Sequence, residues 1–363
     1  MFNRLQNLYK HWLLLWIKPM PLKTPPNDVR SVWLVRTGAL GDLFIISMFP
    51  RLIKKKWPNC RLNVIVGKPF IEVWQHNPYI DRIIAVDSIR KNYIKLFQFA
   101  KTIREDSVDI FLSLEPDISC SLLGVLAKPR WGCSVGVLRL KHYWSEMFFD
   151  LKKNRVAFFK DLAQVVGLDT SDWRQEIFYP KQEFEEKAQQ LIGPKSKVRI
   201  GLSPWAGSWY AKNWPINLAA TFCDLLFERG FEVILLGIAA DQENAKKLIE
   251  MSLYKPLNLV GKTTITELTA VIKNIDAVIS CDCGAAHLAA TVNKPQVVLF
   301  GPTNAFEWTP NNEMLSTLQG ENCPECKPRY LKEKGCQYDY NCMKHDPSVV
   351  LNQLLKVLDY DNT

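Results

Sequence analysis

The stretch from Ala277 to Pro310 reads AVISCDCGAAHLAATVNKPQVVLFGPTNAFEWTP, and its reading decides the fold. Ala277 to Cys281 is a short apolar, β-leaning run, and Asp282-Cys283-Gly284 breaks it where a parallel strand hands over to a helix. A helix beginning near Ala285 presents free backbone N–H groups and the positive end of its dipole at the carboxyl end of that strand. This predicts an anionic ligand there, a phosphate first of all. Asp282 and Cys283 are expected at the N-cap and His287 in the first turn, while Ala285, Ala286, Ala289 and Ala290 let the helix lie close on a sheet. Gln296 to Phe300 is the next strand and Gly301-Pro302-Thr303 the next crevice loop. An ordinary βαβ unit with a capped helix explains the same pattern, so the stretch alone names a fold and not a function.

Upstream, the same alternation of strand and helix extends through a strand at 198–202, the loop SPWAGSWYAKNWP, a helix at 216–228, a strand at 232–236, a helix ending at Met251 and a short strand at 257–260. The Thr263-Thr264-Ile265-Thr266-Glu267 segment caps a helix ending at Lys273. Further back lies another round. A strand at 32–35 runs into Arg36-Thr37-Gly38-Ala39-Leu40-Gly41-Asp42 and a helix expected over 43–56, followed by strands at 62–66, 83–86 and 109–114 and helices at 94–105, 120–127 and 156–166. Arg130-Trp131-Gly132 reads as a turn, and residues 138–152 carry no clear period. Asp42 falls in the crevice outside the sheet, where ligands bind in open α/β folds; a plain helix N-cap role explains its position equally.

With 363 residues the chain is long enough for two domains, each with a full core. The division expected is a leader and linker at 1–29, one domain at 30–180, a second at 181–346, and a C-terminal helix and tail at 347–363. A composition 47% hydrophobic and 23% charged is that of a globular protein, and no apolar run approaches the ~20 residues that span a bilayer. The net charge of +9 is concentrated in residues 1–60, which hold ten Lys and Arg against Asp28 and Asp42. A basic leading end suits an acidic partner such as phospholipid, phosphorylated glycolipid or nucleic acid, or it is simply a solvated surface. No nucleic-acid-binding signature accompanies it, and nucleic acid is not expected as a partner. Leu5, Leu8, Trp12, Leu15 and Trp16 recur at helical spacing among Arg4, Lys10 and Lys18, which predicts an amphipathic helix at a membrane surface or docked on the protein itself.

Ten irregularly spaced cysteines argue for a reducing compartment rather than a disulfide scaffold. Four of them cluster late, in CPECKPRYLKEKGCQYDYNC. Cys323 and Cys326 form a C-x2-C pair, and Cys336 with Cys342 could complete a four-thiolate site for structural zinc or iron; four reduced thiols in a loop is the plainer alternative.

Taken in order, VRTGALGD, SPWAGSWYAKNWP, DCGAAHLAATVNKP with FGPT and Trp308-Thr309-Pro310, and the cysteine-rich segment resemble the ADP-heptose:lipopolysaccharide heptosyltransferases over about residues 30–358. The resemblance implies an α/β chain of GT-B architecture, with two Rossmann-like domains facing across a cleft, the acceptor on the first and the nucleotide sugar on the second. It implies inverting transfer of heptose from ADP-heptose to a hydroxyl of a lipid-linked saccharide acceptor, with no catalytic metal or other cofactor; residues 1–20 are expected to hold the chain on the inner face of the cytoplasmic membrane, where such an acceptor would be made. By the same resemblance Asp42 matches the general base and Lys212 the lysine on the donor phosphates, and Asp282, Cys283, Gly284 and His287 match a DSGxxH-type donor site. Cys283 departs from the Ser or Thr more usual there, and a thiol is the poorer hydrogen-bond donor. Two other classes remain: a protein of this architecture that binds a nucleotide sugar without turnover, and a nucleotide-sugar epimerase.

Overall fold

The computed structural model describes residues 24–87, 93–136, 145–147, 153–207, 209–321, 336 and 338–359. The amphipathic segment 1–20, Ser208, Cys323 and Cys326 lie outside the described residues. The chain divides into two compact units. One comprises Met1–Gly38, Met48–Asp150 and Phe158–Trp173, the other Ala39–Ser47, Leu151–Ala157 and Arg174–Thr363.

The first unit is built on six strands: β1 (Ser31–Val35), β2 (Arg61–Gly67), β3 (Arg82–Val86), β4 (Ile110–Ser113), β5 (Trp131–Val135) and β6 (Ser145–Met147). They are all parallel, in the order β3-β2-β1-β4-β5-β6. Chain direction reverses its winding between β1 and β4, which makes their carboxyl ends the switch point where ligands bind in open sheets. Trp33, Val35, Ile65 and Phe111 form one core with Leu96, Ala100 and Ile103 of the Tyr93–Glu105 helix and with Leu122 and Leu123 of the Ile118–Ala127 helix. β5 lies where a turn was expected. Gly132 and Ser134 are weak strand formers, but Trp131–Val135 is buried throughout, and burial between neighbours overrides propensity.

The second unit repeats the plan with β7 (Arg199–Ser203), β8 (Glu232–Leu235), β9 (Leu257–Asn258), β10 (Ala277–Cys281), β11 (Gln296–Phe300) and β12 (Leu315–Gln319), again all parallel and ordered β9-β8-β7-β10-β11-β12. β12 carries no apolar alternation strong enough to be read from sequence, because it is a half-exposed edge strand. Ile200, Leu202, Val233, Leu235, Val297 and Leu299 form the core with Phe222 and Leu226 of the Ile216–Glu228 helix, and with Val350 and Leu354 of the closing Pro347–Asp359 helix.

The helix expected over 43–56 is two. Leu40–Ile45 ends at Ile46, and Phe49–Lys56 restarts with Pro50 as its second residue. A proline there offers no N–H and its ring would clash with the Ile46 carbonyl, so a continuous helix is excluded. The restarted helix also absorbs much of the basic charge. Arg51 pairs with Asp172 at 3.0 Å, Lys54 with Asp81 at 2.7 Å and Lys55 with Asp169 at 2.6 Å, while Lys56 donates to the Val166 carbonyl at 2.9 Å. These cations are therefore already matched within the first unit.

Candidate functional site

In the second unit the switch point lies between β7 and β10, and both strands end in polar residues. β10 gives way to Asp282 and Cys283, and Cys283, in extended backbone, is the N-cap of the Gly284–Thr291 helix. Its thiol makes no capping bond. It sits 3.9 Å from the Ser203 hydroxyl at the end of β7, and burial pushes it above the ordinary thiol value, so it is a neutral donor rather than a second anion beside Asp282. Asp282 is not a cap, as had been expected: its carboxylate turns toward the loops on either side.

Those loops hold it from two directions. Lys212 donates to the Asp282 carboxylate and to its backbone carbonyl, each at 2.9 Å, and Thr303 donates its hydroxyl to the same carboxylate at 2.7 Å. The SPWAGSWYAKNWP loop brings Lys212 there by folding back on itself. The Ala206 N–H is held by the Asn213 side chain, the Trp214 N–H by the Pro204 carbonyl, and Trp205 donates to the Leu236 carbonyl. Gly207 supplies the positive φ of +57° that the fold-back needs. The Lys212 ammonium also lies 4.6 Å from the centre of the Trp209 ring, a cation–π contact that further restricts it. Thr303 is a site residue that sequence reasoning passed over; FGPT was marked as a crevice loop, but nothing local says which carboxylate its hydroxyl meets.

His287, in the first turns of the Gly284–Thr291 helix, is 3% exposed and its Nδ1 has no hydrogen-bond partner. Burial lowers its pKa, with the Asp282 and Asp42 carboxylates pulling the other way. It is a neutral imidazole at physiological pH, with one ring nitrogen left for a ligand or water.

Asp42 belongs with this same unit, since Ala39–Ser47 packs there. It is the third residue of the Leu40–Ile45 helix and not its N-cap; the Ala39 N–H donates to its carboxylate at 3.3 Å, the reach-back half of a capping box. The GALGD segment, whose two glycines would leave room for an acceptor, is not open at either one. The His287 ring fills the space at Gly41, and Phe70 the space at Gly38.

The two carboxylates that follow β4 in the first unit have structural duties. Glu115 accepts from both the N–H and the hydroxyl of Thr37 at 2.9 Å, beside the buried Arg36. Asp117 caps the Ile118–Ala127 helix through the N–H groups of Ser119 and Cys120. Asp42 is thus the carboxylate placed beside the Lys212, Asp282 and His287 cluster.

Of the cysteine quartet, Cys342 is buried in a 3-10 turn at Asn341–Met343 and Cys336 is half-buried. Successive turns link them, with Asp339 and Tyr340 at positive φ. The Cys342 carbonyl lies against Gly320, where a Cβ would come within 1.7 Å of it. Among the described residues no group of metal-ligating side chains comes together.

Two parallel sheets of Rossmann order, the second with a cation, a carboxylate and a helix N-terminus at its switch point, are the plan of a GT-B fold. The family profile of glycosyltransferase family 9 (heptosyltransferase) matches residues 96–336, and the chain belongs to that family. The lipopolysaccharide core heptosyltransferase OpsX of Haemophilus influenzae is 24% identical over 304 residues, covering 81% of this chain and 85% of its own. A family 9 glycosyltransferase from Veillonella parvula superposes with a TM-score of 0.79 at 20% identity, covering 94% of this chain and 99% of that one. The Escherichia coli ADP-heptose lps heptosyltransferase II does so with 0.75 at 18% identity, over 92% and 100%. No helix among the described residues is long and apolar enough to cross a membrane.

Proposed function

We propose that this glycosyltransferase moves heptose from ADP-heptose to a hydroxyl of a lipopolysaccharide core acceptor, with inversion and without a catalytic metal. The observation that carries the reading is the placement of Asp42 in the same packed unit as Lys212, Asp282 and His287. Asp42 takes the acceptor hydroxyl proton as that oxygen attacks the anomeric carbon from the face opposite the diphosphate. The bond from that carbon to the phosphate oxygen breaks, and ADP leaves with the electron pair. The charge growing on it meets the Lys212 ammonium, the first N–H groups of the Gly284–Thr291 helix and a Cys283 contact, while neutral His287 offers a ring nitrogen without adding charge. Asp282, fixed by Lys212 and Thr303, orients the lysine and is available to sugar hydroxyls. The comparisons support the donor and acceptor, since relatives that act on ADP-heptose and on lipopolysaccharide share the fold and most of the length.

The test is direct. Purified protein is given ADP-heptose with and without a lipopolysaccharide core acceptor lacking heptose, and the products are read by mass spectrometry and by the anomeric coupling in NMR. Acceptor-dependent transfer with inverted configuration, unaffected by chelator, is expected. Epimer formation from donor alone, or binding without turnover, replaces this reading with one of the other two classes.

A structural zinc or iron held by Cys323, Cys326, Cys336 and Cys342 belongs to the same reading. Gly320 touches Cys342 and lies only three residues before Cys323, a span of chain that reaches at most ~10 Å. Elemental analysis of the purified protein should find about one equivalent of metal; a metal-free stable protein removes the site. Residues 1–20 are the proposed contact with the cytoplasmic membrane face, where Trp12, Leu15 and Trp16 enter the interface and Lys10 and Lys18 add about 1 kcal/mol each. Removal of 1–20 should lower partitioning onto anionic vesicles, and unchanged partitioning returns the segment to the protein surface.

A further inference from the structure

The Leu40–Ile45 helix and the Gly284–Thr291 helix meet through one glycine on each. A Cβ on Gly41 would stand 2.6 Å from His287 Cδ2 and 3.1 Å from its Nε2, and a Cβ on Gly284 would stand 2.6 Å from Leu40 Cδ2 and 3.1 Å from its Cγ. Each helix therefore receives a side chain of the other in the gap its own glycine leaves, and the two contacts are reciprocal. Leu40 and Gly41 are adjacent, while Gly284 and His287 stand three apart on one helix face, so the two contacts form a single short seam. Neither glycine has positive φ. Backbone conformation does not call for glycine at either position. The close approach is what requires them. His287 is 3% exposed with its Nδ1 unpartnered, so a buried ring with one open nitrogen is one half of the seam, and Asp42 follows directly on the other half.

We infer that Gly41, Leu40, Gly284 and His287 interlock to set the distance from the Asp42 carboxylate to the reacting carbon of the donor, making Gly41 and Gly284 positioning residues for the transfer step. The inference rests on the reading of Asp42 as the base. Because a fixed carboxylate and a fixed diphosphate site define the in-line geometry, a shift of about 1 Å between them costs on the order of a hundredfold in rate.

The experiment measures kcat, donor KM, ADP affinity by calorimetry and thermal stability in full-length protein. Gly41→Ala should lower kcat about a hundredfold, well beyond any loss of ADP affinity that displacing the His287 ring brings, while the protein still melts in one cooperative transition. Gly284→Ala should lower kcat comparably, and adding Leu40→Ala should restore most of it by removing the obstacle. The interlock is overturned by wild-type kcat in Gly41→Ala, by a loss of ADP affinity large enough to explain the whole rate loss, or by failure of Leu40→Ala to rescue Gly284→Ala. That last result would assign Gly284 to the diphosphate alone. Should Gly41→Ala not fold, the Leu40→Ala rescue decides. Asp42→Asn separates the two ideas: full activity there defeats the base reading, whereas an inactive Asp42→Asn beside a fully active Gly41→Ala defeats only the interlock.

Discussion

At the carboxyl ends of β1 and β4, Glu115 accepts two bonds from Thr37 and Asp117 caps the helix that follows; both carboxylates complete the local fold. At the carboxyl ends of β7 and β10, Asp282 is pinned by Lys212 and Thr303, and beside it His287 keeps a buried ring nitrogen with no partner. The strand order of the two sheets is the same. What differs is which polar groups meet there: in the first unit each carboxylate serves its own loop or helix, whereas in the second Lys212, Asp282 and Thr303 gather from three separate loops. A repeated fold therefore does not repeat the polar groups at its switch point.

The comparison would break most sharply on the carboxylates. Asp42→Asn keeps the shape and the reach-back bond but removes the base, and kcat should fall by about 10²–10⁴ with ADP binding intact. Glu115→Gln should leave kcat near wild type; a loss there equal to that of Asp42→Asn would move the base to the first unit. Lys212→Ala should cost about 2–4 kcal/mol in kcat/KM, because a charge-assisted contact strengthens as the leaving group gains charge. Unchanged kcat/KM would make Lys212 only the partner of Asp282.

Smaller effects sharpen the contrast. Glu115→Gln should lower stability by about 1–3 kcal/mol, since the Thr37 N–H and hydroxyl are left with a poorer acceptor in a buried place. Asp117→Ala should cost about 1 kcal/mol, the usual value of a lost cap, with no change in rate. Denaturant titrations of both variants check these values. His287 gives a pH signature. Its folded-state pKa lies below the ordinary value near 6.5, so the unfolded chain binds the proton first. Stability should therefore be full above about pH 6.5 and fall as pH drops toward the depressed value. His287→Gln should flatten that limb, leaving the part due to His345, which burial also depresses.

The alternating strands and helices were legible because hydrophobic period and turn residues act over a few positions. Ile216–Glu228, Ala277–Cys281 and Gln296–Phe300 fall where the sequence places them. The two-domain parallel fold follows from that rhythm, and the family resemblance pointed to Asp42, Lys212 and the Asp282–His287 segment. Where local signals were weak or contradicted by burial, the reading failed, as at β5, β12 and the break before Pro50. Partner choice lay beyond the sequence altogether. That Lys212 meets Asp282 seventy positions on, that Thr303 completes the clamp, that Thr37 occupies Glu115, and that the His287 ring lies against Gly41 are settled by tertiary packing. The reason is physical: a side chain's type sets what it can bond, but only the folded arrangement of distant strands and helices decides which groups are brought within 3 Å and which are left for the substrate.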